Sequence, residues 1–163
     1  VMDIIRFAQI EEVQLLNREN YKPGGLTALL DAIGKSIDQI QNNYSHEIRD
    51  DNATVVMVIL TDGGENASQF YTHKLVAERI KELDTSGKWT FSFLGADLNA
   101  LESTDRLNIR RENVVSFSKA NYSHMMDQVS ASISAYEHKK SSGFYDNNLF
   151  DGIADKDQRD INN

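Results

Sequence analysis

No cysteine occurs in the 163 residues, which excludes disulfides and thiolate-held zinc. Proline occurs once, inside the stretch NRENYKPGG (17–25), so the rest of the chain has no proline-imposed break. No apolar run approaches the roughly 20 residues that a membrane-spanning helix needs. Basic residues are outnumbered, 17 Lys and Arg against 25 Asp and Glu, for a net charge of −8. A surface short of Lys and Arg is a poor match for phosphate backbones or anionic lipid, so neither nucleic acid nor membrane is an expected partner. It suits cations and basic protein surfaces instead. The start shows no basic-then-apolar leader pattern, and with the lack of cysteine this makes the cytoplasm the expected location.

What is present is ordinary for one globular domain: 40% hydrophobic and 26% charged residues. Val1–Phe7 and Ile10–Leu16 read as two strands with Ala8-Gln9 turning between them. After the loop at 17–25 a helix is expected from Thr27, with Leu30, Ile33, Ile37 and Ile40 as its apolar stripe and Thr27 as its N-cap, ending near Asn42-Asn43. Val55–Leu60 has no polar alternation, the pattern of a strand covered on both faces. A helix over Thr72–Leu83, capped by Thr72, precedes a strand at Trp89–Leu94. A short helix at Asn99–Leu107, a strand at Val114–Ser118 and a helix at Tyr122–His138 follow. The last helix would bury Tyr122, Met125, Met126, Val129, Ile133 and Tyr136. Residues 1–140 thus form the domain, and 141–163 a polar acidic tail, partly disordered or docked through Phe144, Tyr145, Leu149 and Phe150. Alternating helices and strands imply an α/β fold, a doubly wound, mostly parallel Rossmann-like sheet with helices on both faces.

Ligands in such sheets gather beyond the carboxyl ends of the strands. Asp62 follows the apolar run VVMVIL directly after Thr61, with Gly63 and Gly64 permitting a sharp turn. Thr27 belongs to a helix start expected on the same edge. A hydroxyl and a carboxylate on one rim suit a hard divalent cation, Mg²⁺ above all. Each residue has an ordinary explanation too, Thr27 as a cap and Asp62 as a turn former. Glu65 and Asp97 are the other acids expected on the rim, too few to imply a reaction; Asp31 and Asp38 are expected to face solvent. No phosphate loop, no G-x-G-x-x-G, no nucleophile elbow, no H-E-x-x-H and no EF-hand frame occurs.

YKPGGLTALLDAIG (21–34) followed by TDGGENAS (61–68) resembles the von Willebrand factor type A family. It is closest to bacterial and phage members reading Y-x-P-x-G-G-x-T-A-L-L-D-A-I-G and T-D-G-x-E-N-A-S. The resemblance runs from Val1 to about residue 140. It implies a non-enzymatic, protein-binding module in which Mg²⁺ or Mn²⁺ is held on a metal-ion-dependent adhesion rim, and a protein ligand completes the shell with an acidic side chain. Thr27 and Asp62 match two of the three elements that hold the metal in that family. The third, Asp-x-Ser-x-Ser after a central first strand, is absent from this chain. Neither Asp127–Ser132 nor Asp84–Gly87 substitutes for it. The expectation is therefore a sheet lacking that strand, an N-terminally incomplete domain, and weak or absent Mg²⁺ binding. A homodimer could shield the exposed edge of Val55–Leu60. The alternatives are a metal-assisted phosphoester or nucleotide hydrolase on a Rossmann-like sheet, and a degenerate, metal-free type A domain serving in assembly.

Overall fold

A computed structural model of the protein describes residues 9–13, 15, 17–19, 24–96, 106–117, 121–143 and 146–150. The expected strand Val1–Phe7, Asp97, most of the expected 99–107 helix, and residues 144, 145 and 151–163 lie outside them. The fold is mixed α/β. Helix α1 spans Leu29–Arg49, strand β1 Val55–Thr61, helix α2 His73–Thr85, strand β2 Trp89–Gly95, strand β3 Val114–Ser116 and helix α3 Tyr122–Ser141. The three strands form a parallel sheet in the order β1-β2-β3. Val55 pairs with Trp89 at one end of β1 and Thr61 with Gly95 at the other, while Phe93 pairs with Val114.

Strand periodicity sends alternate side chains to opposite faces, and two separate clusters result. Met57, Ile59, Trp89, Phe91 and Phe93 face α1 and α2, meeting Leu30, Ile33, Ile37, Val76 and Ile80. Leu94 faces the other way, toward Met125, Val129 and Tyr136 of α3, with Val56 and Val58 packed at the margin. Helices therefore lie on both faces of the sheet. β2, buried along its whole length, is the central strand of the three. β1 is less covered than its composition predicts: Leu60 is 44% exposed, and among the described residues β1 pairs only with β2. Among these residues no helix is long and apolar enough to cross a membrane.

Several local expectations need correction. Ile10–Glu12 is a 3-10 turn, not a strand, closed by the Glu12 amide donating to the Gln9 carbonyl at 2.9 Å. Val13 and Leu15 beyond it are exposed, so the apolar spacing there serves no sheet face. α1 starts at Leu29, after Ala28, and Thr27 is not its cap. It breaks its helical geometry at Tyr44 (φ −130°, ψ 17°), next to the Asn42-Asn43 pair. There Asn43 turns its amide back to the Gln39 carbonyl at 2.6 Å, a local bond that competes with the helix. A further turn then continues to Arg49 because Ile48 is buried. α2 has the cap its sequence suggests, with Thr72 Oγ1 accepting from the Leu75 amide. On α3, Tyr122 is exposed and packs edge-on against Phe117.

Residues 146–150 pack onto the domain. Leu149 and Phe150 are buried in the α3 cluster. The fully buried Asn113 donates to the Asn147 carbonyl at 2.6 Å and accepts from the Leu149 amide at 2.8 Å. Asn147 in turn donates to the Asp84 carbonyl at 2.7 Å.

Candidate functional site

At the carboxyl end of β1 the chain turns within two residues. The Thr61 hydroxyl donates to the Gly63 carbonyl at 2.8 Å and accepts from the Gly63 amide at 3.2 Å, a pincer that folds the backbone back on itself. Asp62, at the apex, is exposed on the rim. The neighbouring strand ends close on the same edge, with the Ala96 amide donating to the Thr61 carbonyl and the Phe117 amide to the Gly95 carbonyl.

Thr27 reaches this turn from the other side. A Cβ built on Gly63 would lie 3.2 Å from Thr27 Oγ1, so the Thr27 hydroxyl stands against the residue that follows Asp62. Glycine at 63 permits that approach. The two residues singled out from sequence thus share one small region of the rim.

What holds them there lies in the next stretch, ENAS. The Thr27 amide donates to Asn66 Oδ1 at 2.8 Å, and the Asn66 amide donates to the Thr27 carbonyl at 3.0 Å. The first turn of α1 has no cap from its own Ala28, and its orphan amides are met from across the chain. Leu30 N–H donates to Glu65 Oε2 at 2.9 Å and Asp31 N–H to Ser68 Oγ at 3.0 Å. Glu65 also accepts from the Ala67 and Ser68 amides and from the Ser68 hydroxyl. The connection runs back as well: Asp31, on the first turn of α1, accepts from the amides of Gln69, Phe70 and Tyr71, each at 2.9 Å. Helix start and loop are stapled from both directions.

The electrostatics follow from these donors. Burial alone would raise the Asp31 carboxyl, but the three amides outweigh it and hold it below its ordinary 3.8. Glu65 behaves likewise: burial raises it, and the Leu30 and Ser68 amides, the Ser68 hydroxyl and the Ala67 amide bring it below 4.5. Asp38, about two helical turns further along, receives the Tyr71 hydroxyl and pairs with Arg79. The Tyr71 bond first, and then Arg79, depress its carboxyl against burial; the same bond raises the Tyr71 phenol above 10.0. Asp31 and Asp38 therefore do not simply face solvent. Asp31 is buried, and both carboxylates bind the loop and helix that follow β1.

Glu65 and Asp31, at the start of α1, and Asp38 further along it are thus used as structural acceptors. A hydroxyl at Thr27 and a carboxylate at Asp62 have the right chemistry for a hard cation, but they are two donors. Among the described residues, no group of three His, Asp or Glu side chains could hold a metal ion. The set fits a cation in kind and falls short in number, so further oxygens would have to come from water, a partner or residues outside those described. Compared with known proteins, the chain matches no family model, and neither a curated protein nor a solved structure matches it significantly.

Proposed function

We propose that the chain acts as a non-enzymatic, protein-binding module of the von Willebrand factor type A kind, with Thr27 and Asp62 on a cation-assisted rim. One observation carries the reading: Thr27 Oγ1 stands against the Asp62-Gly63 turn at the carboxyl end of β1. That is the juxtaposition implied by GGLTALLDAI and TDGGENAS together. A bound Mg²⁺ or Mn²⁺ would supply a positive centre for an acidic side chain of the partner. Thr27 and Asp62 would contribute one oxygen each, directly or through water, while Glu65 and Asp31 remain committed to backbone amides. The chain alone would then hold the cation weakly, because Mg²⁺ keeps its water unless more carboxylate is offered.

The test is a Mn²⁺ titration of the ¹⁵N-labelled chain. Weak paramagnetic broadening confined to the amides around Thr27 and Gly63, competed by Mg²⁺ and abolished in Asp62→Ala, is the expected result. Broadening that ignores Asp62→Ala would overturn the rim. Mg²⁺-dependent hydrolysis of p-nitrophenyl phosphate, lost in the same variant, would replace the binding role with a hydrolytic one. Tight Mg²⁺ binding by calorimetry, again lost in Asp62→Ala, would show the donor set to be complete already.

A further inference from the structure

Thr27 lies before the first residue of α1, so the helical ladder does not aim its side chain. Its backbone is held by one residue. The N–H of Thr27 belongs to the rigid peptide plane before it and the carbonyl to the plane after it. Both bond to Asn66, one to the Asn66 side chain at 2.8 Å and the other to the Asn66 main chain at 3.0 Å. Holding both planes restrains φ and ψ of Thr27, and with them the direction of its Cα–Cβ bond. The other side chains of the staple act further along: Glu65 on Leu30, Ser68 on Asp31, and Asp31 on residues 69–71. They hold the helix start, whereas Asn66 holds Thr27.

We infer that Asn66 is the positioning residue of the Thr27–Asp62 rim: by clamping both peptide planes of Thr27 it keeps the Thr27 hydroxyl against the turn that carries Asp62. This rests on the reading of that rim as a cation site and adds the residue on which its geometry depends. Groups that orient a metal's ligands without touching the metal commonly govern its affinity, and their loss costs about 10- to 100-fold.

The experiment uses the full chain with Mn²⁺ as the probe, and has a readout that needs no metal. In the absence of Mn²⁺, an NOE between the Thr27 side chain and the Gly63 Hα is expected in the wild type. It should persist in Asn66→Asp, which keeps the accepting oxygen, and weaken in Asn66→Ala, which frees the Thr27 amide while the main-chain bond to its carbonyl remains. With Mn²⁺, Asn66→Ala should weaken the broadening at Gly63 by about 10- to 100-fold. Ser68→Ala, which removes a helix cap, should lower thermal stability while leaving that broadening unchanged. If Asn66→Ala does not fold, Asn66→Gln, whose amide sits one methylene further out, carries the same expectation. An intact NOE and unchanged Mn²⁺ affinity in the Asn66 variant, with Asp62→Ala still abolishing binding, overturns the inference and leaves the rim standing. Binding unaffected by Asp62→Ala overturns the rim itself; the NOE then decides alone whether Asn66 places Thr27.

Discussion

Replacing Gly34 by alanine reverses a familiar sign. In the interior of an ordinary helix, Gly→Ala stabilises by about 1 kcal/mol, because alanine loses less backbone entropy on folding. Gly34 lies within α1, buried against Tyr71. An added Cβ would overlap the Tyr71 ring, at 2.5 Å from Cγ and closer still to Cδ1 and Cε1. The ring has no easy retreat. Its backbone amide is bound to Asp31 at 2.9 Å, its hydroxyl donates to Asp38, and Asp38 is paired with Arg79. Overpacking of this kind costs about 1–3 kcal/mol. Displacing the phenol would forfeit a further hydrogen bond worth about 1 kcal/mol. Set against the gain in helix propensity, the variant should be destabilised by about 1–3 kcal/mol overall, read as a lower urea midpoint at unchanged m-value. The same change in a Tyr71→Ala background meets no ring, so there Gly34→Ala should stabilise by up to about 1 kcal/mol. A Gly34→Ala chain as stable as the wild type, or a cycle with no coupling to Tyr71, would refute the claim that this glycine exists to admit the ring.

The staple around Glu65 should be visible in acid. The folded carboxyl lies below its ordinary 4.5, so its stabilising effect is complete above that pH and is lost as pH falls through the lower folded value. Urea midpoints of the wild type and Glu65→Gln should therefore differ most above pH 4.5 and converge below it; a gap that stays constant with pH would dismiss the charged acceptor. Asn113→Ala removes a fully buried amide bonded to both Asn147 and Leu149, and should cost about 1–3 kcal/mol by thermal denaturation. It should also speed amide exchange at Leu149, and unchanged exchange there would show that residues 146–150 are held by other contacts.

The elements legible in the sequence were those whose causes are local. β1 announces itself as an unbroken apolar run and β2 as aromatic residues alternating with Thr90 and Ser92, and α2 carries both its stripe and its Thr72 cap within a few residues. Ile10–Leu16 misleads because short apolar spacing also occurs where no sheet face exists to receive it: Leu15 is 89% exposed. The closeness of Thr27 to the Asp62-Gly63 turn is expected from the wording of the two motifs more than from any periodicity. The fate of Asp31 was not legible, since a carboxylate one position beyond Leu30 looks like the polar face of an amphipathic helix. Its partners are amides 38 to 40 residues away, which carry no side-chain signature at all. Asp38 was hidden in the same way behind Tyr71 and Arg79.

The distribution of work within TDGGENAS follows from that distance. Thr61 and Gly63 close a turn around Asp62 through the Thr61 hydroxyl and the Gly63 amide and carbonyl. A turn alone would present Asp62 without reference to Thr27, which sits in a different element. Asn66 fixes Thr27, while Glu65 and Ser68 take the two amides that begin α1; Asp31 returns the connection through three amides beyond Ser68. Each bond contributes modestly in water, but bonds to an ionised carboxylate are the stronger kind, and Glu65 and Asp31 collect several each. The helix start and the loop after the turn are therefore tied together from both sides. An exposed acid can be a ligand at a defined distance from a hydroxyl only if the loop between them is held this firmly.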